Sequence, residues 1–308
     1  MKLFFATVML GVLLCGCAFS TQPRSIAEKQ SGYTYVPIDP FPVKIAGTNL
    51  NGGGVDISVS NLLNSLPDNA VRIGTETYDI NGNVSYGPAR ASASAGHYKI
   101  TVDYVNSDTS NIKLAIRKTF VLAGADSSAR KTSRPSAMLP PNALPHSVEY
   151  EVVKPTEVPT NSDFSAADLG WEVYSIPLYI GIGLRVTADV WTSSGKVDIG
   201  GLGPIGAAAE VNQLRGSMVV QTLGVNGKSI SAALPIQSEL NRTTAQNAIV
   251  SVGAIKALLY SPETIVMPRI VGMYLPLGGD KSLVNGIISQ LAREPVLWVA
   301  PTGRRIAE

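Results

Sequence analysis

Hydrophobic and polar positions alternate with period two over long parts of the chain. From His97 to Val105, Tyr98, Ile100, Val102 and Tyr104 fall on one side, with His97, Lys99, Thr101 and Asp103 on the other. Asn111 to Leu122 does the same, setting Ile112, Leu114, Ile116, Phe120 and Leu122 against Lys113, Arg117 and Thr119. Alternation of this kind puts one face on a core and one in water, as in antiparallel sheets. The polar stretch Asn106 to Ser110 between the two predicts a loop, so that they form a hairpin. Upstream, Val71 to Ile80 is rich in branched and aromatic residues. Asn81-Gly82, a hairpin-turn dipeptide, then leads into Val84 to Tyr86.

Residues 33–124 therefore read as a β-rich, sheet or sandwich-like domain. The pattern breaks over 125–146, where Pro135, Pro140, Pro141 and Pro145 stand among serines and threonines. That composition predicts a linker and a domain boundary. Its basic cluster, Arg130, Lys131 and Arg134, is expected to be solvated, with contact to anionic lipid headgroups as the alternative.

Residues 147–308 mix the two periods. Val148 to Val153 predicts a short strand, and Trp171 to Trp191 a long β stretch. Pro177, Gly181 and Gly183 inside the latter predict an edge, a bend or two strands in succession. A turn at Ser193 to Gly195, a short helix near Ile205 to Gln213 and a strand from Ser217 to Leu223 follow. Asn226-Gly227 predicts a hairpin leading into Ser229 to Leu234. Thr243 or Thr244 caps a helix reaching about Tyr260, with Ile249, Val252, Ile255, Leu258 and Leu259 on one face and Pro262 as its stop. Ile265 to Leu275 reads as a strand interrupted by Pro268, Asp280 to Arg293 as a helix, and Val296 to Val299 as a last strand. Strands and helices mix without strict βα alternation, so the fold class is α+β. No internal repeat of 20–50 residues is present.

The apolar pattern at the N-terminus is of another kind. After Met1 and Lys2, Leu3 to Leu14 is a nearly unbroken apolar run. As a helix it would rise about 18 Å against a hydrocarbon core of about 30 Å. Those are the proportions of a signal-peptide core. The run ends in Leu14-Cys15-Gly16-Cys17, which resembles the lipobox of bacterial lipoproteins, departing from the commonest pattern at Cys15. The resemblance covers residues 1–17. It implies that residues 1–16 are a signal peptide, that the Cys17 thiol carries lipid such as palmitate, and that the new amino terminus is acylated. Three acyl chains would anchor the protein essentially permanently at about 0.8 kcal/mol per buried methylene. Ala18, where an Asp commonly retains lipoproteins at the inner membrane, points to the outer membrane. Residues 17–32 are then the lipidated cysteine and a polar tether holding the folded part near the membrane, facing the periplasm or the cell surface. A plain secreted protein is the competing reading.

Composition sharpens this picture. The chain of 308 residues carries 25 Lys+Arg and 23 Asp+Glu, a formal net charge of +2, with 45% apolar residues. Intrinsic disorder and a polyanion binder driven by net charge are both excluded, and no nucleic-acid partner is expected. Both cysteines fall at the end of the signal, so a disulfide framework, a cysteine-ligated metal and a cysteine nucleophile are excluded. Charged residues are 16% of the chain and about 13% between Trp171 and Ala300. A surface that sits in water alone carries about a quarter. The shortage predicts contact with protein partners, or self-association, through 147–308.

Motifs for chemistry are weak. Gly201-Leu202-Gly203-Pro204-Ile205-Gly206 fits the dinucleotide pattern but lacks the acidic residue about 20 positions on, and reads as a tight turn. Ser193-Ser194-Gly195-Lys196 matches S-x-x-K without its partner motifs. His97 and His146 are isolated, and no G-x-S-x-G elbow supplies a serine. Asp189, Asp198 and Glu210 are candidates for a carboxylate site on polysaccharide. Trp171, Tyr174, Tyr179 and Trp191 are candidates for a glycan platform, with sheet core as the plainer role. Glu263 and Arg269 are expected to form a surface pair. No cofactor, metal site or catalytic set is assigned. The expectation is a membrane-anchored envelope lipoprotein with a non-catalytic structural or assembly role. The alternatives are a carboxylate-dependent polysaccharide-acting enzyme and a small-ligand or glycan-binding module.

Overall fold

The computed structural model describes residues 34–45, 66, 68–78, 84–86, 97–122, 130–132, 145–159, 165–192, 214–234, 238–239, 242–259, 261, 263–275 and 279–299. The signal peptide, Cys17 and the tether lie outside the described residues. So do Arg134, the turn at Asn81-Gly82, and the segment holding the S-x-x-K and G-x-G-x-x-G matches and the helix expected near Ile205.

In chain order the strands begin with β1 (Thr34–Pro42), β2 (Lys44–Ile45), β3 (Asp68–Tyr78), β4 (Val84–Tyr86) and β5 (His97–Leu122). Next come β6 (Arg130–Thr132), β7 (Pro145–Val153), β8 (Trp171–Thr192), β9 (Leu214–Leu223) and β10 (Val225–Asn226). Helix α1 (Lys228–Ala233), β11 (Ser238–Glu239) and helix α2 (Arg242–Leu258) follow. The chain continues through β12 (Ile265–Val266), β13 (Arg269–Leu275), β14 (Gly279–Asp280), helix α3 (Lys281–Arg293) and β15 (Leu297–Trp298). Most described residues are strand, and one large antiparallel sheet of eleven strands dominates, with the helices laid on it.

Two very long strands form the sheet's spine. β5 and β8 pair antiparallel without a break in register from His97↔Trp191 to Arg117↔Trp171. The expected loop at Asn106 to Ser110 is therefore strand. The reason is visible in phase: the apolar positions of both halves are even-numbered, and the polar residues between them keep that phase while pairing with Gly181, Ile180 and Tyr179. Pro177 is tolerated within β8 because, among the described strands, β13 and β9 join that edge only from Leu178 onward.

Strands on both sides of residues 125–146 share this sheet. β3 pairs with β5, β5 with β8, and β1 with β13. Within the expected linker, Arg130–Thr132 form β6 against Phe120–Leu122, and Pro145 already belongs to β7, also on β5. A second difference is at Asn226-Gly227: the chain enters α1 there instead of a hairpin strand. α2 and α3 form close to where they were expected, except that α2 begins at Arg242, so Thr243 and Thr244 lie inside it and do not cap it; Pro268 separates β12 from β13.

The even-numbered face of β5 carries the main core. Tyr98, Ile100, Val102, Leu114 and Ile116 are buried there with Ile176, Ile180, Ile182 and Leu184. α2 covers it with Ile255 and Leu259, α3 with Leu283, Val284, Ile287 and Leu291. Asp280 caps α3 by accepting from the Ser282 amide (2.7 Å), and Gln290 Nε2 donates to the Val152 carbonyl (2.8 Å), fixing the helix on β7.

The opposite face is closed by curling. Along β8 the neighbour on one edge changes from β13, at Leu178 to Gly181, to β9, from Gly183 onward. β13 carries β1 with it, and β1 comes back against β3. Two glycines make the approach possible. A Cβ on Gly74 would lie 2.4 Å from Pro37 Cδ, and one on Gly272 would lie 2.4 Å from both Cε2 and Oη of Tyr35. β1, β13, β8, β5 and β3 thus form a small barrel-like cup. Inside it Tyr35, Val105, Tyr179, Leu223, Val271 and Tyr274 make a second, smaller cluster.

Two glycine substitutions test this packing. Gly272→Ala should cost about 1–3 kcal/mol in chemical denaturation, because Tyr35 is held from its far end and cannot yield. Gly253→Ala, at an exposed position of α2 where a Cβ meets nothing within 4 Å, should stabilise by about 0.5–1 kcal/mol.

Candidate functional site

Sheet register brings the polar residues of the second face into rows. One row reads Arg72, Asp103, Arg185, Gln221 across β3, β5, β8 and β9. Directly opposed residues of this kind stand with Cβ atoms about 4.5–5.5 Å apart. Asp103 is fully buried and Arg185 nearly so. The Arg185 guanidinium grips the carboxylate with two parallel bonds, Nε to Oδ1 and Nη2 to Oδ2, each 2.7 Å. Tyr35 Oη donates to the same Oδ2 at 2.5 Å.

The remaining donors of Arg185 explain the cup. Nη1 donates to the Ile38 carbonyl and Nη2 also to the Val271 carbonyl, each at 2.6 Å. Both carbonyls lie where pairing is interrupted. β1 slips register between Pro37 and Phe41, and β13 between Ile270 and Gly272. A bulge leaves ladder groups without their strand partners, and buried carbonyls in that state are costly. Arg185 supplies the missing donors. Arg72 lies with its guanidinium 3.7 Å from the Tyr179 ring centroid, over a group of three tyrosines in which Tyr179 packs edge to face on Tyr35 and Tyr274 and those two are tilted to each other.

Charge and burial act on these groups together. Burial pushes the Tyr35 phenol well above its usual range, aided by the Asp103 carboxylate and opposed by Arg185 and Arg72. For Arg185 burial works against the cation, but hydrogen bonding to Asp103 and the charge of that carboxylate outweigh it and raise its pKa. The pair is a structural ion pair in a dry setting.

Toward the other end of the same face the rows open to solvent. Glu76, Lys99, Asp189 and Ser217 are in register, with Lys99 Nζ 3.2 Å from Glu76. In the outermost row His97 is stacked between Tyr78 (4.3 Å, 17°) and Trp191 (3.7 Å, 8°). Its Nε2 is 2.5 Å from Asp189 Oδ1. Tyr78 donates to Glu76 at 3.0 Å, and burial, followed by the Glu76 charge, raises its phenol above the usual range. Tyr86, across β3, is pushed up to about 12 by burial and by Glu76.

The candidates read from sequence separate in space. Asp189 sits in this row, while Asp198 and Glu210 lie outside the described residues. The four aromatics of β8 do not make one platform. Trp171 and Tyr179 are buried, Tyr174 is half-buried on the core side, and Trp191 is exposed. Glu263 is exposed ahead of β12 and Arg269 half-buried at the start of β13. His146 is in β7. Among the described residues no group of three or more His, Cys, Asp or Glu is placed to hold a metal ion, and no helix is long and apolar enough to cross a membrane.

Asp103, Arg185, Tyr35 and Arg72 were not singled out by motif. A signal exists: Arg185 is the one charged residue between Ile176 and Ala188, where strand residues facing both ways are apolar or glycine apart from Pro177, Tyr179 and Thr187. A strand of that kind is buried on both faces, so its cation must be paired. Comparison with known protein families, with curated proteins and with solved structures finds no match to this chain.

Two outcomes follow for the buried group. Asp103→Asn leaves the Arg185 charge buried without its counter-ion and should cost about 3–5 kcal/mol in urea unfolding. The alkaline limb tests Tyr35. Its folded pKa is raised above an unfolded value of about 10, so its contribution is complete below pH 10 and is lost as pH rises toward the folded pKa. Unfolding free energy should fall above pH 10. In Tyr35→Phe the fall should be shallower by about 1.4 kcal/mol per pH unit, one proton fewer being linked.

Proposed function

We propose that this chain is a membrane-anchored lipoprotein of the bacterial cell envelope, held through Cys17, that serves as a non-catalytic structural or assembly component. Its anchor is the apolar run ending in Leu14-Cys15-Gly16-Cys17, and its destination the outer membrane. Its binding part is the region after residue 147.

The observation that carries the assembly role is where apolar side chains meet solvent. Among the described residues, Val173, Trp191, Val250, Ile265, Met267, Leu297 and Val299 are large, apolar and exposed, and all follow residue 147. Before it only Val71 is in that class among the described residues. The same region is short of charge. Exposed apolar side chains on a surface poor in charge are the composition of a protein contact face.

The polar side chains support a structural role as well. Asp103 is engaged by Arg185 and Tyr35, Asp189 by His97, and Glu76 by Lys99 and Tyr78. Each of these carboxylates serves the sheet, in contrast to an acid–base pair held open for a substrate.

Mild crosslinking and co-purification from membranes tests the proposal. Wild type should be recovered in a discrete higher-mass assembly and take up labelled palmitate. Cys17→Ser should lose both the label and the membrane fraction. Label that survives Cys17→Ser contradicts the anchor, and a membrane-bound monomer that captures no partner and no second copy contradicts the assembly role.

A further inference from the structure

The main-core face holds a cavity of about 180 Å³ between the sheet and α2. Its floor is a single cross-strand row, Val71, Tyr104 and Leu184, directly in register on β3, β5 and β8. Its roof is one stripe of α2: Val252, Ile255, Lys256 and Leu259. Those positions are i, i+3, i+4 and i+7, the spacing of one helix face. Every member of that face is apolar except Lys256.

We propose that this cavity is a binding site for a small amphiphile with an aliphatic body of about six to eight carbons and an anionic head. The size argument is direct: apolar cavities of about 150 Å³ admit a benzene-sized guest. Ile255 and Leu259 are buried and Val252 half-buried, so the body of a guest meets apolar surface from above as well as below.

The charge argument fixes the head. Lys256 is exposed on the roof stripe, and no Asp or Glu is among the described residues lining the cavity. Among the described residues the lining therefore carries one positive charge and no negative one. Among the described residues Asn106 and Tyr104 complete the lining as neutral polar residues. A tyrosine phenol, with an ordinary pKa of about 10, is a donor at neutral pH, and burial raises that of Tyr104 further. An ammonium, a phenol and a carboxamide around an apolar chamber suit a carboxylate or phosphate ester on a short chain. A cationic amphiphile of the same length would meet Lys256 unfavourably. Val71, at the β3 end of the floor row, is about half exposed, so the chamber is reached from solvent without unfolding.

The site is independent of the anchor and of any protein partner, so its test uses the full mature chain irrespective of how that chain is held. Calorimetric titration with sodium octanoate should give saturable one-to-one binding. Octan-1-ol and octyltrimethylammonium should bind at least about tenfold more weakly, a difference of about 1.4 kcal/mol. Lys256→Glu, at an exposed position that leaves the fold intact by circular dichroism, should weaken octanoate by about tenfold or more. Val71→Phe enlarges the side chain at that exposed end of the floor and should weaken all three probes together. Absence of saturable octanoate binding, octanol binding as tightly as octanoate, or octanoate binding unchanged in both Lys256→Glu and Val71→Phe would each overturn the proposal.

Discussion

The structure turns on one buried guanidinium. Arg185 holds Asp103 in a two-bonded ion pair and at the same time supplies donors to the Ile38 and Val271 carbonyls, which lie where β1 and β13 leave their ladders. Without those donors the bulges would bury bare carbonyls, and the strands would have no reason to curl over a charged residue. With them, the curl lays Tyr35 on Asp103 and seals the cup. A buried ion pair by itself is weak evidence for stability, since desolvation offsets most of the attraction. Its use here is geometric: it selects the bulged, closed arrangement over a flat sheet, in which the same charge would lack its two carbonyls.

That arrangement divides the sheet's second face into two environments along a single pair of strands. Near Gly183 the face is dry and shared by Arg185, Asp103 and the three tyrosines. About six to eight residues further along β8, it opens into the charged row of Glu76, Lys99 and Asp189 and then into the stack of Tyr78, His97 and Trp191. Over such a distance, about 20–27 Å of strand, a rigid sheet transmits position well and chemistry poorly. The polar groups stabilise one another in pairs. Apart from them, among the described residues, stand the exposed apolar side chains, most of them after residue 147, and the chamber under α2.

Much of this was legible in the order of residues. Alternation in 97–105 and 111–122 located the faces of β5, and 3.6-residue spacing from Ile249 to Leu259 located α2, although Thr243 and Thr244, expected as its cap, fall inside the helix. The polar run Asn106 to Ser110 misled because a loop and a strand passing between two covering layers share a composition. The even-numbered phase on both sides was the clue that no turn intervenes. Proline content marked 125–146 as a linker, yet β6 and the start of β7 flank the end of β5 in the same sheet, an outcome set by pairing and not by local composition. Asp103 was placed in water by its alternation phase. Its burial depends on β1 and β13, separated from it by about 60–170 residues, and no local pattern encodes that contact.

Hydrogen exchange on Arg185→Lys measures the pinning role most directly. Lysine keeps the charge on Asp103 but lacks the planar fork that reaches the two bulge carbonyls. The account predicts that amides of β1 and β13 lose protection, while the β5–β8 pairs from Asn111 to Arg117 keep theirs. Equal loss across the whole sheet, or unchanged protection in β1 and β13, would contradict it.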